Sequence, residues 1–423
     1  MELIVTPSRL SGAIDIPGSK SHTIRALVLG LLGDGESVIE RPLHSSDTRS
    51  CLAMVRGFGA RVDETGDAWR IAGTGGEFPA PDDIVDVGNS GTSLYIGMGI
   101  ASLARGHTVF TGDHQIRSRP ADALITSIND LGGSAFSTRG NGMPPLVVGG
   151  RITGGETSVR AVTSQYLSSL LIAAPRAGGD TVIRIPLLNE KPYVTMTLGW
   201  LDRLGIRYTT DNYQSFTIPG NQRYPSFRAA VPADFSSATF FLVAAAITGS
   251  ELVLKGLDWN DTQGDREVVN ILKNMGAGVS IGAGEITITG RPLTGGVFDL
   301  NAIPDALPAL AVAGCFAGGE TRLVNVPQAR LKETDRISVM HGELKKMGAL
   351  IEEMPDGLVI RKSDLKGCRV NGHHDHRVAM ALAVAGLAAD GATTIATAES
   401  VSVTFPDFPG LMKSIGADIT IQE

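Results

Sequence analysis

The sequence predicts an α/β protein of two similar domains, each made of three βαβαββ-type repeats whose buried helices run parallel. Two ladders of residues and the chain length predict this. Gly59, Gly133, Gly205, Gly276, Gly348 and Gly416 each follow an amphipathic stretch and precede a short alternating one, at gaps of 74, 72, 71, 72 and 68 residues. In phase with them, Ser21, Thr92, Ser164, Ser236, Asp305 and His376 stand just before or within the start of Ala/Leu-rich runs, at gaps of 71, 72, 72, 69 and 71. Two ladders sharing one period imply six copies of one supersecondary unit. At 423 residues the chain exceeds what one core serves, so three units per domain is the natural division.

The fourth unit illustrates the elements. Asp234-Phe235-Ser236-Ser237 precedes an apolar helical run over 238–248, and 250–255 alternates like a strand. Residues 265–275 carry Val268, Val269, Ile271, Leu272 and Met275 at helical spacing. Gly276 ends that helix, and 278–289 reads as two short strands around Gly282-Ala283-Gly284. The opening strand, residues 2–7, has no partner in the first unit, which begins near Pro17; unit four begins near Val231. The expected domains are therefore 18–231 and a second made of 1–17 with 232–423, completed by the N-terminal strand. Helices with Ala, Leu, Val and Gly on nearly every face should be buried. If they run parallel, their N-terminal amides and dipole ends collect at one face of each domain, and two such faces meeting would make a cleft suited to anions.

Composition bounds the function. The charge is −7, from 37 basic and 44 acidic residues, which argues against non-specific nucleic-acid binding. The cysteines Cys51, Cys315 and Cys368 are odd in number and show no CxxC spacing, so a reduced cytoplasm fits. The start shows no basic region followed by an apolar run, and the longest apolar run, 306–317, is too short to span a bilayer.

Departures from the repeat locate the chemistry. Ile16-Pro17-Gly18-Ser19-Lys20-Ser21-His22-Thr23-Ile24-Arg25 makes a turn that enters a helix, with Ser21 as its cap and Lys20 and Arg25 able to face a ligand at its start. The string lacks the four-residue spacer of a Walker loop, which excludes a nucleoside-triphosphate site. Gly88-Asn89-Ser90-Gly91-Thr92-Ser93 opens unit two with glycines that let backbone amides approach a ligand. Arg117-Ser118-Arg119-Pro120, Lys332-Glu333-Thr334-Asp335-Arg336 and Asp375-His376-Arg377 place cations at helix starts, where they oppose the dipole unless an anion is bound. Asp305 follows Pro304 at the start of an otherwise apolar helix and reads equally as a plain cap or as chemistry. The run His373-His374-Asp375-His376 is too contiguous to converge on a metal, and none is expected.

Taken together, residues 17–25, Gly88 to Thr92, Arg119-Pro120, Ser164-Gln165, Asp234, Pro304-Asp305, 332–336 and 375–377 resemble the enolpyruvyl transferase family, in order and in all six units. The likeness is to the branch acting on shikimate 3-phosphate. The resemblance implies an inside-out α/β barrel in each domain, an active site between the domains and closure around substrate. It implies transfer of the enolpyruvyl group of phosphoenolpyruvate to the 5-hydroxyl of shikimate 3-phosphate with release of phosphate, in chorismate and aromatic amino acid biosynthesis. It implies a monomer needing no cofactor and no nucleic-acid or membrane partner. By position, Lys20, Ser21 and Arg25 would bind the acceptor, and Thr163, Ser164, Gln165, Tyr193 and Gln328 would contact it. Gly91 would lie against phosphoenolpyruvate, with Lys20 facing it, Arg119, Arg336 and Arg377 holding its phosphate and carboxylate, and Lys332 among the substrate-binding residues. Asp305 would take the proton of the attacking hydroxyl, and Glu333 with Lys20 or Lys332 would handle the proton at the methylene carbon.

Four positions depart from the family pattern. Tyr95 stands where the glycine motif ordinarily ends in Arg, Glu190 where a Ser meets the acceptor's phosphate, Gln328 for an Asn, and Val403 for a Lys before Thr404-Phe405-Pro406. A carboxylate beside a phosphate repels it, so Glu190 must point away, pair with Lys191, or serve another acceptor. These changes lie on the acceptor side and leave open a paralogue acting on a different cyclic alcohol, as well as a non-catalytic anion-binding scaffold. The sister branch acting on UDP-N-acetylglucosamine carries a Cys in the loop that is here Asp113-His114-Gln115-Ile116-Arg117, which has none.

Overall fold

A computed structural model of the chain describes residues 1–423. They divide into two compact units, Met1–Ser19 with Pro232–Glu423, and Lys20–Val231. Each has an apolar core of its own. No helix is long and apolar enough to cross a membrane.

The repeat is visible as one sheet pattern drawn six times. Each four-stranded sheet has one parallel pair followed by two antiparallel ones. Val297–Asp299 runs parallel to Glu320–Val324, which pairs antiparallel with Gly357–Arg361, and that strand with Leu350–Met354. The fourth repeat follows the sequence pattern closely: helix Phe235–Thr248, strand Glu251–Lys255, helix Glu267–Asn274, then strands Gly278–Ile281 and Glu285–Thr289.

Two strands break sequence order. Ser11–Asp15 precedes the helix Lys20–Leu32 but pairs with Glu251–Lys255, and Arg228–Ala230 precedes the helix Phe235–Thr248 but pairs with Glu36–Glu40. The first strand, Glu2–Thr6, lies between Thr393–Ala396 and Asp418–Gln422, antiparallel to both. Alternation alone revealed Glu2–Thr6; Ser11–Asp15 has a Gly and few apolar residues, so its sequence carries no strand signal, and its sheet partner supplies the order.

Six helices start within two residues of the ladder positions: Lys20–Leu32, Gly91–Ala101 and Ser164–Ala173 in one unit, and Phe235–Thr248, Leu307–Phe316 and His376–Gly386 in the other. They are buried almost all round; every residue of Gly91–Ala101 and of His376–Gly386 is inside. Small side chains make this possible, because Ala and Gly let neighbouring backbones approach without leaving voids. Side-chain bonds at their starts show that the N-terminal ends gather. Gln165 Nε2 donates to Thr92 Oγ1 at 3.1 Å, joining the starts of two helices. In the other unit Arg377 Nη1 donates to Ser236 Oγ at 2.6 Å, and Arg377 Nη2 meets Asp305 Oδ2 at 3.0 Å.

The caps lie one or two residues before the ladder positions. Ser90, Thr163, Asp234 and Asp375 accept from backbone amides of the first turn. Ser21 is the second residue inside its helix rather than its cap. Asp305 lies in a 3-10 turn, Pro304–Ala306, without a capping bond. The glycines of the other ladder take positive φ, as at Gly348 (φ +94), where a side chain would be strained. In the second unit that role falls to Gly132 (φ +88), one residue before Gly133, because the helix Asp122–Asp130 ends a residue sooner.

Leu3 is fully buried although its sheet neighbours lie at the far end of the chain. Leu3→Ala is expected to destabilise the Met1–Ser19 and Pro232–Glu423 unit by about 2–5 kcal/mol, measured as a fall in its denaturation midpoint.

Candidate active site

Chemistry-bearing residues collect at the helix starts of both units. In the Pro232–Glu423 part the centre is Arg336, the first residue of the helix Arg336–Lys346 and 1% exposed. Its Nε donates to Asp375 Oδ2 at 2.8 Å, its Nη1 to Asp305 Oδ1 at 2.8 Å and its Nη2 to Glu333. Asp375 is wholly buried; its other oxygen accepts the Arg377 amide at 2.9 Å as the cap of His376–Gly386. Thr334 Oγ1 donates to Asp375 Oδ2 at 3.0 Å. A guanidinium can be buried this way only because three carboxylates face it. Burial pulls Arg336 down, but Asp375, Glu333 and Asp305 outweigh that and hold it above its ordinary value.

Asp305 is the second node. Arg336 at 2.8 Å, Arg377 at 3.0 Å and Lys332 at 3.8 Å converge on its carboxylate. Burial would raise this carboxyl, yet Arg377, Lys332 and Arg336 together hold it well below the carboxylate range. The group is thus ionised wherever the protein is folded near neutrality. Because the folded value is depressed, its contribution to stability is complete above the ordinary Asp value and is lost as pH falls through the folded one.

In the Lys20–Val231 unit, Lys20 Nζ meets Asp47 Oδ2 at 3.0 Å. Asp47 enters from the first turn of the helix Ser46–Gly57, which Ser45 and Thr48 start with a capping box. Ser21 stands next to Lys20, and its carbonyl accepts from Arg25 Nη1 at 3.1 Å. Arg25 turns inward: it is 1% exposed and donates also to Thr197, Ser168 and the Tyr193 carbonyl. Burial lowers it to about 10, so it remains a cation at neutral pH. Its donors tie the first helix to the two that carry Ser164, Gln165 and Tyr193.

Arg119, 6% exposed, lies against the start of Gly91–Ala101, where a Cβ added at Gly91 would collide with its Nη1. The turn is anchored from behind. Tyr95 Oη and Tyr166 Oη both donate to the Pro120 carbonyl, at 2.8 and 2.6 Å, with their rings edge to face at 4.9 Å. Thr163 and Ser164 donate to Glu190, which turns away from Lys191; Lys191 Nζ lies 4.2 Å over the Tyr213 ring. Tyr193 sits half-buried in the first turn of Lys191–Arg203. Gln328 is 3% exposed, bonds Asn301 through Nε2 at 2.9 Å, and its Oε1 has no hydrogen-bond partner. Val403 closes a 3-10 turn, Ala398–Val403.

Each unit therefore brings its own predicted residues together: Asp305, Lys332, Glu333, Arg336 and Arg377 in one; Lys20, Ser21, Arg25, Gly91, Arg119, Thr163, Ser164, Gln165 and Tyr193 in the other. Sequence reasoning missed Asp47 and the Tyr95–Tyr166 anchor, and left Asp375 out of the site. The Ser45–Thr48 spacing and the place of Asp375 one step before the His376 rung were the available signals. The histidines diverge, His373 to Glu343 at 2.7 Å and His374 to Glu399 at 3.3 Å.

The sequence profile of the family described as EPSP synthase (3-phosphoshikimate 1-carboxyvinyltransferase) matches residues 4–412. The chain belongs to the EPSP synthase family. It is 54% identical over 423 residues to the 3-phosphoshikimate 1-carboxyvinyltransferase of Acetivibrio thermocellus, covering all of both chains. That of Methanocella arvoryzae is 44% identical over 99% of each. An EPSP synthase structure from Acinetobacter baumannii superposes with a TM-score of 0.83 at 29% identity, over 99% of this chain and 100% of that one.

Gly91→Ala is expected to push the Arg119 guanidinium off the helix start without unfolding the unit, since the obstructing group is the tip of a flexible side chain. If Arg119 faces the donor, as the resemblance implies, the apparent KM for phosphoenolpyruvate should rise on the order of tenfold, with a smaller change for the acceptor; steady-state kinetics with each substrate varied in turn measures this.

Proposed function

We propose that this member of the EPSP synthase family moves the enolpyruvyl group of phosphoenolpyruvate to the 5-hydroxyl of shikimate 3-phosphate and releases phosphate. The observation that carries the reading is the carboxylate of Asp305 gripped by three cations, Lys332, Arg336 and Arg377. A doubly acidic donor needs fixed cations to hold it, and the reaction needs a base beside them.

In this reading Arg336, Arg377 and Lys332 of one unit and Arg119 and Lys20 of the other hold the donor's phosphate and carboxylate, with Gly91 leaving room for Arg119. Ser21, Thr163, Ser164, Gln165 and Tyr193 contact the acceptor, and Arg25 orders the Ser21 and Tyr193 segments through its bonds to their carbonyls. The unpartnered Oε1 of Gln328 accepts a hydroxyl of the acceptor. Glu333, with Lys20 or Lys332, protonates the donor's methylene carbon. The acceptor oxygen bonds to carbon 2 as Asp305 takes its proton, giving a tetrahedral ketal. The carbon–oxygen bond to phosphate then breaks, and loss of a methyl proton restores the double bond.

The charges also set the order of events. With its three cations unshared, Asp305 is a feeble base. Once the donor's anions share Lys332, Arg336 and Arg377, less positive charge falls on Asp305 and its proton affinity rises. The base thus becomes effective when the donor is in place. The reading has the enzyme act as a monomer in the cytoplasm, where its three free thiols stay reduced.

Phosphate release from phosphoenolpyruvate should require shikimate 3-phosphate; shikimate or UDP-N-acetylglucosamine should not replace it. Release with an unphosphorylated ring alone would move the assignment to a different acceptor, and silence with every acceptor would leave only an anion-binding scaffold. Asp305→Asn should lower turnover on the order of 10²–10⁴-fold in the same assay, and near-normal turnover would remove Asp305 as the base.

A further inference from the structure

A carboxylate occupies the donors at the start of the helix Ser164–Ala173. Glu190 is 1% exposed and holds a left-handed backbone conformation, φ +57. One of its oxygens, Oε2, accepts from Ser164 Oγ at 2.8 Å, from the Ser164 amide at 3.1 Å and from Thr163 Oγ1 at 3.1 Å. Thr163 is the cap of that helix, so the carboxylate also sits at its positive end. The backbone beside it is pinned: the Asn189 amide donates to the Ala161 carbonyl at 3.1 Å, Asn189 Nδ2 to the Val162 carbonyl at 3.2 Å, and the Tyr193 amide to the Glu190 carbonyl at 3.0 Å.

We propose that Glu190 is an internal anion occupying the donors that receive the acceptor's phosphate, so that acceptor binding must displace its side chain and Glu190 sets the acceptor's affinity. This rests on the reading that Thr163 and Ser164 contact shikimate 3-phosphate. Each hydroxyl and each amide has one proton to donate. While all three point at Glu190 Oε2, none is available to a phosphate. The two anions cannot share the site either, because like charges within a few ångströms repel. With the backbone held on both sides, the side chain gives way by rotating about its own bonds. A Ser at this position would add a donor to the group, whereas Glu190 takes donors from it, so the substitution changes the site from open to self-occupied.

The test measures shikimate 3-phosphate dissociation constants by titration calorimetry for the wild type, Glu190→Gln and Glu190→Ser, with the KM for phosphoenolpyruvate alongside. Both variants should bind shikimate 3-phosphate more tightly, on the order of tenfold, with the phosphoenolpyruvate KM unmoved. Gln preserves the shape and an accepting oxygen without the charge, so it decides the matter if Ser disturbs folding. Equal or weaker binding by Glu190→Gln, in an enzyme whose wild type releases phosphate with shikimate 3-phosphate, overturns the role of Glu190 alone. Absence of binding by the wild type and both variants overturns it together with the acceptor assignment.

Discussion

Buried cations at the positive ends of helices are the constraint on which the rest of this structure depends. The starts of Gly91–Ala101, Ser164–Ala173 and His376–Gly386 are enclosed, and Arg119, Arg336 and Arg377 are set among such starts with 6%, 1% and 6% exposure. Neither helix dipole nor guanidinium tolerates this without anions nearby. The chain supplies part of the need itself, through Asp47, Asp305, Glu333 and Asp375. In the proposed function, substrates rich in phosphate and carboxylate supply the remainder.

This explains why the carboxylates of the site serve two purposes. Asp375 grips Arg336 with both oxygens and caps a helix with one of them. Asp305 pairs with Arg336 and Arg377 and, in the proposed function, becomes the base when the donor draws on those cations. Glu190 accepts from the donors at the start of the helix Ser164–Ala173. On that proposal the same Coulomb interaction that steadies the free protein also regulates when each carboxylate can act.

The repeat could be read because its physics is local. A glycine with positive φ must end each outer helix, and Ala-rich runs must be buried, so both leave a period of about 70 residues, as seen in the ladders. One rung slipped, since Gly132 rather than Gly133 takes the turn, and the caps Ser90, Thr163, Asp234 and Asp375 fall one or two residues early where pattern alone cannot resolve a helix start. The motifs around Lys20, Arg119, Lys332 and Asp375 were legible because cations at helix starts contradict the local rule. Asp47 was not, because an acidic residue in a first turn obeys it.

By itself the amino-acid order determined the six units and most of their helices and strands, which follow from spacing and residue type within a few turns of chain, and its motifs carried the resemblance to the family's charged residues. Tertiary structure alone decided which strands exchange, with Ser11–Asp15 paired to Glu251–Lys255 and Arg228–Ala230 to Glu36–Glu40. It alone decided that Arg25 faces inward, that two phenols secure the Pro120 carbonyl, and that Glu190 lies on Thr163 and Ser164 rather than on Lys191. Those outcomes depend on which groups meet after the backbone closes. A charge chooses its partner by distance and burial in three dimensions, which neighbours in sequence do not encode.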